Sequence, residues 1–294
     1  MADELDDGLV LDGDLVAVGS ADESADYESG VEHTQAQRSD AQRDAKARRR
    51  EKQKAARRKR AAKHNERTTA ERALVTQPAS LQADYICAQQ RRVYPTLSAL
   101  ELDEVRVSEH MLTETLDWDQ DRSLDTLAAF VQKYVRTSLD SSSPGQPKII
   151  VVSGNAQRAA DLVRPLRTLL PRDEPPPKKR VKGSDAAPAA DPSTPTVAKL
   201  FARHFKADAQ AAWLKDQVAP IAVGTPHRLR QLIDMGALRL DAAAAIVIDH
   251  SWVDQKHRTI FDGPETRVAI VDLIGLASVR DALRRKNGAK LLLF

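Results

Sequence analysis

The stretch that decides the fold class is Lys148-Ile149-Ile150-Val151-Val152-Ser153. Its four central side chains are all apolar and β-branched. A strand that is hydrophobic at every position, instead of at alternate positions, is typical of a parallel sheet buried on both faces. Residues 244–249 repeat this pattern. Residues 221–223 are a shorter strand candidate, and residues 197–202 are a weaker one.

Helical patterns stand between these strands. The periodicity predicts helices at 98–107, 122–140, 155–170, 207–217, 226–235 and 264–276. Pro165 is expected to kink the third of them, and Thr225 is expected to cap the helix that begins at Pro226. Strands that alternate with helices predict an α/β domain with a parallel sheet and helices on both faces.

Charged residues separate into blocks before this patterned region. Residues 1–37 contain eleven Asp or Glu and no Lys or Arg, whereas residues 38–72 contain fifteen Lys or Arg against five Asp or Glu, a net charge of +10. Such segments cannot bury a core and usually stay solvated. We therefore expect an acidic disordered tail at 1–37, a basic segment of helix-forming composition at 38–79, and one folded domain at 80–294.

Residues 171–196 interrupt that domain. They hold seven of the 15 prolines in the chain. Proline at this density forbids a regular helix or a central strand. Because patterned sequence resumes on both sides, we predict a flexible insertion.

The composition also excludes several classes of protein. The chain has 294 residues and a single cysteine, Cys87, which excludes an internal disulfide and a zinc site built from several thiolates. The seven histidines show no metal-ligand spacing, so we expect no metal. No apolar run approaches the roughly 18 residues of a membrane span, and the first residues lack the basic start of a secretory signal. These features predict an intracellular protein without a membrane partner.

Ligands of a parallel sheet bind at the carboxyl ends of its strands. Here those ends are Ser153-Gly154-Asn155, Gly224-Thr225-Pro226 and Asp249-His250-Ser251. Asp249 and His250 beside Ser251 suggest hydrolase chemistry. However, no G-x-S-x-G elbow surrounds the serine, which argues against that function.

Taken in chain order, these strand ends resemble the first RecA-like domain of DEAD-box RNA helicases. Three segments stand where the helicases have Pro-Thr-Arg, Gly-Thr-Pro-Gly-Arg-Leu and Val-Leu-Asp-Glu-Ala-Asp: they are Ala156-Gln157-Arg158, Gly224-Thr225-Pro226-His227-Arg228-Leu229 and Val247-Ile248-Asp249-His250-Ser251-Trp252. In the helicases the first two motifs grip the RNA backbone, and both guanidinium groups and helix-start N–H groups suit phosphate. The resemblance implies a RecA-like domain that contacts RNA through Arg158, Gly224, Thr225 and Arg228.

The parts of an ATPase are missing from the sequence. No G-x-x-x-x-G-K-[ST] motif occurs, so no glycine-rich loop with its lysine holds a triphosphate. Asp249 belongs to a degenerate form of the helicase acidic motif, because His250 replaces the acid that would orient an attacking water. We expect Asp249 to cap its strand end or to pair with a basic neighbour such as Lys256. The resemblance thus implies a pseudo-helicase, not an enzyme, with no cofactor and no small-molecule substrate.

Further residues resemble a narrower family, the Cms-type subunits of the small-subunit processome, an early nucleolar pre-ribosome. The resemblance covers about 80–294 and rests on Leu97-Ser98-Ala99-Leu100-Glu101-Leu102, Arg158-Ala159-Ala160-Asp161-Leu162, Lys199-Leu200-Phe201-Ala202-Arg203-His204-Phe205-Lys206, Val223-Gly224-Thr225-Pro226, Asp249-His250-Ser251-Trp252, Asp254-Gln255-Lys256, Asp262, Pro264, Glu265 and Arg267. His227, where the usual residue is glycine, and the proline-rich insertion are departures. The resemblance implies a non-catalytic RNA-binding or scaffold subunit in 18S rRNA maturation, with pre-ribosomal RNA and processome proteins as partners.

Two basic runs predict nuclear import and electrostatic contact with RNA. The first comprises Lys46, Arg48, Arg49, Arg50, Arg57, Arg58, Lys59 and Arg60, and the second, within the insertion, comprises Lys178, Lys179 and Arg180. Together with the resemblance, they predict localisation in the nucleus and nucleolus.

Two other functions stay open on the sequence alone. One is an RNA-stimulated ATPase or helicase-like enzyme with an unconventional nucleotide site. The other is a nuclear DNA-binding replication or chromatin factor, because phosphate contacts do not distinguish one polyanion from another. Asp254, Lys256 and Asp262 form polar, ion-pairing elements without a predicted chemical role.

Overall fold

A computed structural model describes residues 51, 54–55, 74–139, 142–171, 194–202 and 205–294. By its contacts the chain divides into two units, Met1–Arg58 and Lys59–Phe294. Of the first unit only three residues are described, and they are helical. The expectations for the acidic tail, for nearly all of the basic segment, and for residues 172–193 of the insertion therefore lie outside the described residues.

The second unit alternates helices and strands. The described helices are α1 (Ala79–Val93), α2 (Ala99–Val105), α3 (Leu127–Tyr134), α4 (Ala156–Leu166), α5 (Ala207–Asp216), α6 (Pro226–Asp234), α7 (Pro264–Gly275) and α8 (Ala277–Arg284). The described strands are β1 (Ile149–Val152), β2 (Val197–Leu200), β3 (Ile221–Gly224), β4 (Ala245–Ile248) and β5 (Lys290–Leu293). Short 3-10 turns lie at Leu74–Thr76, Glu109–Met111 and Arg167–Leu169.

The five strands form one parallel sheet in the order β2-β3-β1-β4-β5. In β1, β3 and β4 every residue is buried, as expected for strands covered on both faces. Successive strand side chains point to opposite faces, so Ile150 and Val152 join one core cluster and Ile149 and Val151 join the other. Helices α1, α6, α7 and α8 cover the first face, and α3 and α4 cover the second. The predicted α/β fold is confirmed.

Several element bounds differ from the sequence prediction. The helix predicted at 122–140 is reduced to Leu127–Tyr134, and Arg122, outside it, donates from Nη1 to the carbonyl oxygen of Leu293 at 2.8 Å. The predicted helix 155–170 ends as an α-helix at Leu166, one residue after Pro165, and continues as a 3-10 turn. None of the helices in the described ranges has the length and apolar character to cross a membrane.

Three elements were not predicted: α1, α8 and β5. Helix α1 buries three glutamine side chains, Gln82, Gln89 and Gln90, where a helical pattern would show apolar residues. Gln90 is satisfied by a hydrogen bond from its Nε2 to the carbonyl oxygen of Val105 at 2.6 Å. A buried amide with a partner costs little, so an element of this kind escapes a search for apolar periodicity.

Candidate functional site

The carboxyl ends of β1, β3 and β4 lie side by side, because Val152 is in register with both Gly224 and Ile248. We call this edge of the sheet, with the residues that follow these three strands, the carboxyl edge. Strand β1 is the switch point of the sheet, because β2 and β3 lie on one side of it and β4 and β5 lie on the other. Ligands of open parallel sheets bind at such a position.

Asp249 follows β4 and is fully enclosed at this edge. Its Oδ2 accepts hydrogen bonds from Arg158 Nε at 2.9 Å and from Ser153 Oγ at 3.1 Å. Its Oδ1 accepts a third bond from Arg158 Nη2 at 3.0 Å. The guanidinium thus binds the carboxylate through two parallel bonds, the strongest geometry for such a pair. Asp249 therefore pairs with a basic residue, as one of the two expectations had it, but the partner is Arg158 and not Lys256.

Burial dominates the electrostatics of this pair. The side chain of Asp249 is 0% exposed and that of Arg158 is 9% exposed. Burial raises the pKa of the Asp249 carboxyl above its ordinary value, against the opposing effects of Arg158 and the Ser153 hydroxyl. A buried pair of this kind is costly to break, because removal of one partner leaves an uncompensated charge.

Arg158 is held by two further contacts. Asn155 caps α4, and its Oδ1 accepts from the backbone N–H groups of Gln157 at 2.7 Å and Arg158 at 3.2 Å. The first-turn N–H groups that an anion would need are therefore occupied. The Arg158 guanidinium also lies 5.9 Å from the centre of the Trp252 ring, within the range of a cation–π contact.

Arg228 is buried in a second polar network. Its Nη1 donates to Gln210 Oε1 at 2.6 Å and to the Phe205 carbonyl oxygen at 3.0 Å. Gln210 Nε2 in turn donates to the carbonyl oxygens of Lys199 at 2.8 Å and Phe201 at 3.2 Å. The network therefore joins α6 through α5 to the outer edge of β2. Within the described part of the chain, Arg228 Nε is buried without a hydrogen-bond partner.

Gly224 and Thr225 shape the turn between β3 and α6. A Cβ at Gly224 would collide with the Leu200 carbonyl oxygen and would lie 2.9 Å from Leu229 Cδ2, so only glycine fits. Thr225 occupies the predicted cap position of α6, but its side chain makes no capping hydrogen bond. Its backbone N–H donates to the Leu200 carbonyl oxygen at 3.1 Å instead, which ties the turn to β2.

His250 belongs to the core. It is 0% exposed, and its ring lies 5.7 Å from that of Tyr85 and 5.6 Å from that of Phe261. His250 is thus an aromatic packing residue.

An open cleft of about 250 Å³ lies beside the Asp249–Arg158 pair, lined among others by Gly154, Asn155, Trp252 and Pro264. One wall is a loop that is held by hydrogen bonds between its own residues. Asp254 accepts from Arg258 Nη2 at 2.7 Å and from the Lys256 backbone N–H at 2.8 Å. Asp262 accepts from the backbone N–H and hydroxyl of Thr259 at 2.8 and 2.9 Å. These acids therefore have a structural role in shaping the wall.

The structure places all four sequence-predicted RNA-contact residues at the carboxyl edge, but in two separate networks. Arg158 joins Asp249, whereas Arg228 joins Gln210. The basic runs named from the sequence, 46–50, 57–60 and 178–180, lie outside the described residues. Across the described ranges no group of three or more His, Cys, Asp or Glu side chains is arranged to hold a metal ion.

Sequence reasoning placed Ser153 and Asn155 at a strand end and Trp252 in a motif, but it gave them no role in these networks, and it did not single out Gln210. A signal existed for Asn155, because Asn directly before a helical segment is a preferred N-cap. No local signal marks the others. Arg158 and Asp249 are separated by 91 positions in the chain, and Arg228 and Gln210 by 18.

Comparison with known proteins gives a consistent family. Protein CMS1 of Chaetomium thermophilum is 35% identical over 214 residues, covering 71% of this chain and 77% of the relative. Protein cms1 of Schizosaccharomyces pombe is 24% identical over 290 residues, covering 97% and 95%. Protein CMSS1 of Homo sapiens is 27% identical over 195 residues, covering 66% of this chain and 61% of the relative.

A family model described as "CMS1: U3-containing 90S pre-ribosomal complex subunit" matches residues 29–294. The match includes the basic segment as well as the α/β domain. It confirms the resemblance to Cms-type subunits that the sequence motifs suggest. The chain therefore belongs to the CMS1 family of subunits of the U3-containing 90S pre-ribosomal complex.

Proposed function

We propose that the chain is a non-catalytic RNA-binding and scaffold subunit of the nucleolar small-subunit processome. Its role there is in 18S rRNA maturation and so in biogenesis of the small ribosomal subunit. Family membership supports the place in a pre-ribosomal complex. The parallel sheet and the order of its strand-end motifs support a RecA-like domain that has lost the helicase reaction.

One observation carries the non-catalytic part of the proposal: Asp249 is committed to the fold. A nucleotide-hydrolysing site of the helicase type needs an acid in this position to hold magnesium. Here both carboxylate oxygens accept hydrogen bonds from Arg158, and Ser153 adds another. A metal ion would have to displace a buried guanidinium. The sequence also lacks the phosphate-binding loop that would bring a triphosphate to this edge.

RNA contact at the carboxyl edge, through Arg158, Gly224, Thr225 and Arg228, is part of the proposal. Both arginines are buried and donate to internal acceptors, so direct contact with a phosphate would have to use their remaining N–H groups. Gly224 and Thr225 contribute the backbone of the turn after β3, in which Gly224 is buried, Thr225 is half-buried and the neighbouring His227 is exposed. The expected RNA-contact surface is therefore the backbone of this turn, which the two buried arginines support.

The basic runs support a nuclear and nucleolar location. Dense Lys and Arg segments bind polyanions by default and serve as import signals. Deletion of residues 46–60 should reduce nuclear accumulation of a fluorescent fusion, with further loss when residues 177–182 are also removed. Unchanged nuclear signal after both deletions would contradict this part of the proposal.

Crosslinking of the full chain to RNA in cells, followed by sequencing of the attached RNA, tests the whole proposal. We expect enrichment of pre-ribosomal RNA. Enrichment of other RNA classes, or preference for duplex DNA over single-stranded RNA in a binding competition, would contradict it. Turnover of ATP by the purified chain, lost on changing Asp249→Asn, would replace it with the enzyme function.

A further inference from the structure

The edge of the sheet opposite the carboxyl edge carries a second open cleft, with a volume of about 440 Å³. We call this side, where the strands begin, the amino edge. Its lining includes Arg136 and Thr137 after α3, Asp241 before β4, and Arg285 and Asn287 after α8. Strands of four residues separate the two edges by roughly 13 Å. The cleft is therefore distinct from the site described above.

Hydrogen bonds to the backbone hold its walls in place. Arg285 donates to the carbonyl oxygens of Asp241 at 3.0 Å and Leu240 at 2.7 Å, which fixes the turn before β4. Lys148 Nζ donates to the carbonyl oxygen of Ser138, next to the Arg136-Thr137 wall. The backbone of Lys148 also accepts from the Ala244 N–H at 2.8 Å. Three loops distant in sequence are thus brought together.

Among the residues that the structure describes, no carboxylate contacts Arg136, Arg239 or Arg285. Arg285 donates to neutral carbonyl oxygens, so its charge remains available. The exposed side chains of Arg136 and Arg239 make no hydrogen bond or ion pair to the residues that the structure describes. Arg239 directly precedes the Leu240-Asp241 wall. Asp241 is the single acid among the lining residues described.

We propose that this amino-edge cleft binds phosphate groups of a single-stranded RNA backbone. Arg136 and Arg285 would contact phosphates inside the cleft, Arg239 would contact a further phosphate at the rim, and Thr137 and Asn287 would supply neutral donors. A guanidinium presents a planar fork of donors that suits a phosphate. Arginine together with hydroxyl and amide side chains is the donor set that proteins use on nucleic-acid backbones. The inference rests on the proposed function, which places the chain among RNA, and adds a second contact surface to it.

The test measures the affinity of the full chain for a single-stranded oligouridine as a function of salt concentration. The altered protein carries Arg136→Ala with Arg239→Ala. The matched control carries Arg91→Ala with Arg92→Ala, two exposed arginines in α1 that do not line the cleft and make no described side-chain contact. Both variants lose the same charge.

Each phosphate contact with a single strand releases about 0.7 counterion. The cleft variant lacks two such contacts, so we expect the magnitude of the slope of log affinity against log salt to fall by about 1.4. At 0.1 M salt the same loss corresponds to about 25-fold weaker binding. The control should retain the slope of the unaltered chain. Crosslinked peptides from the unaltered chain should include Thr137 or Asn287.

Equal slopes for the cleft variant and the unaltered chain would overturn the proposal while leaving the proposed function intact. Arginine-dependent binding of polyglutamate, without any change in the RNA slope, would assign the cleft to an acidic protein segment instead and would also overturn it. If the unaltered chain binds no RNA at all, the proposed function fails as well. The three outcomes are therefore distinguishable.

Discussion

The two edges of the sheet use arginine in opposite ways. At the carboxyl edge, Arg158 and Arg228 are 8% and 7% exposed and donate to Asp249 and Gln210 inside the protein. At the amino edge, Arg136 and Arg239 are exposed, and Arg285 donates to carbonyl oxygens only. The two arginines of the carboxyl edge are thus buried within the protein, whereas those of the amino edge are exposed to solvent.

This difference shows that a motif resembling an RNA-binding motif does not by itself establish contact with RNA. A buried arginine whose N–H groups donate to internal acceptors has fewer of its five donors left for a phosphate. At the carboxyl edge such acceptors exist in Asp249, Gln210 and the Phe205 carbonyl oxygen. The location of accessible charge is therefore a better guide to a polyanion surface than the motif. Each prediction below tests whether the two edges really differ in this way.

The largest effect is expected from Arg158→Met. It leaves the buried Asp249 carboxylate without its cation, and breaking a buried pair from one side typically costs about 3–5 kcal/mol in the free energy of unfolding. Denaturant unfolding of the full chain measures this loss.

The double variant Arg158→Met with Asp249→Leu is the control for that prediction. It replaces the pair by apolar side chains of similar volume, which is often close to neutral in stability. A small loss in the single variant, or an equal loss in both, would show that the pair is not the internal anchor of the carboxyl edge.

The next effect is expected from Gln210→Ala. The change leaves Arg228 Nη1 and two backbone carbonyl oxygens without a shared partner, and one buried unsatisfied group costs about 1–3 kcal/mol. Thermal or denaturant unfolding measures the loss. Gln217→Ala, at the end of the same helix, is the matched control and should change stability little. Equal losses in both variants would mean that the Arg228 network does not support the turn after β3.

A pH dependence follows from the raised pKa of Asp249. Burial is its first cause, and Arg158 opposes it. Because the folded pKa lies above the unfolded value, this carboxyl stabilises the fold most below the unfolded pKa, and that contribution is lost as pH rises through the folded pKa. Arg158→Met removes the opposing cation and raises the pKa further.

The destabilisation by Arg158→Met should therefore shrink as the pH falls, by at most about 1.4 kcal/mol per pH unit for one proton. Unfolding curves of the variant and the unaltered chain between neutral and acidic pH measure it. The double variant with Asp249→Leu lacks the carboxyl and should show no such relief. A pH-independent loss would mean that the carboxyl is not the source of the destabilisation.

How much the sequence could predict depends on the range of the interaction. The sheet follows from local patterns, because every residue of β1 and β4 is apolar and each strand is short. Helix α1 escapes such patterns because it buries glutamines. The Arg158–Asp249 pair brings together residues 91 positions apart, and no local signal reports a contact of that kind. The sequence pattern therefore predicted that Arg158 lies at the carboxyl edge, but it did not reveal that the guanidinium is paired with Asp249.

The amino-edge cleft could not be predicted from the sequence for the same reason. Its lining comes from the segments after α3, before β4 and after α8, none of which carries a motif. Arg136 and Arg285 are ordinary solvated charges when the sequence is examined alone. Only the parallel order of the strands, which places β4 beside β5, brings these segments to one edge.

The smallest effect on stability is expected from Arg136→Ala with Arg239→Ala. Both side chains are exposed and make no bond to the described part of the protein, so the free energy of unfolding should change by less than about 0.5 kcal/mol. The unfolding midpoint of the full chain measures this. A loss comparable to that of Gln210→Ala would show that these arginines also hold the fold, and the contrast between the two edges would disappear. Unchanged stability, together with a weaker salt dependence of RNA binding, would instead show that these two arginines contact RNA and do not hold the fold.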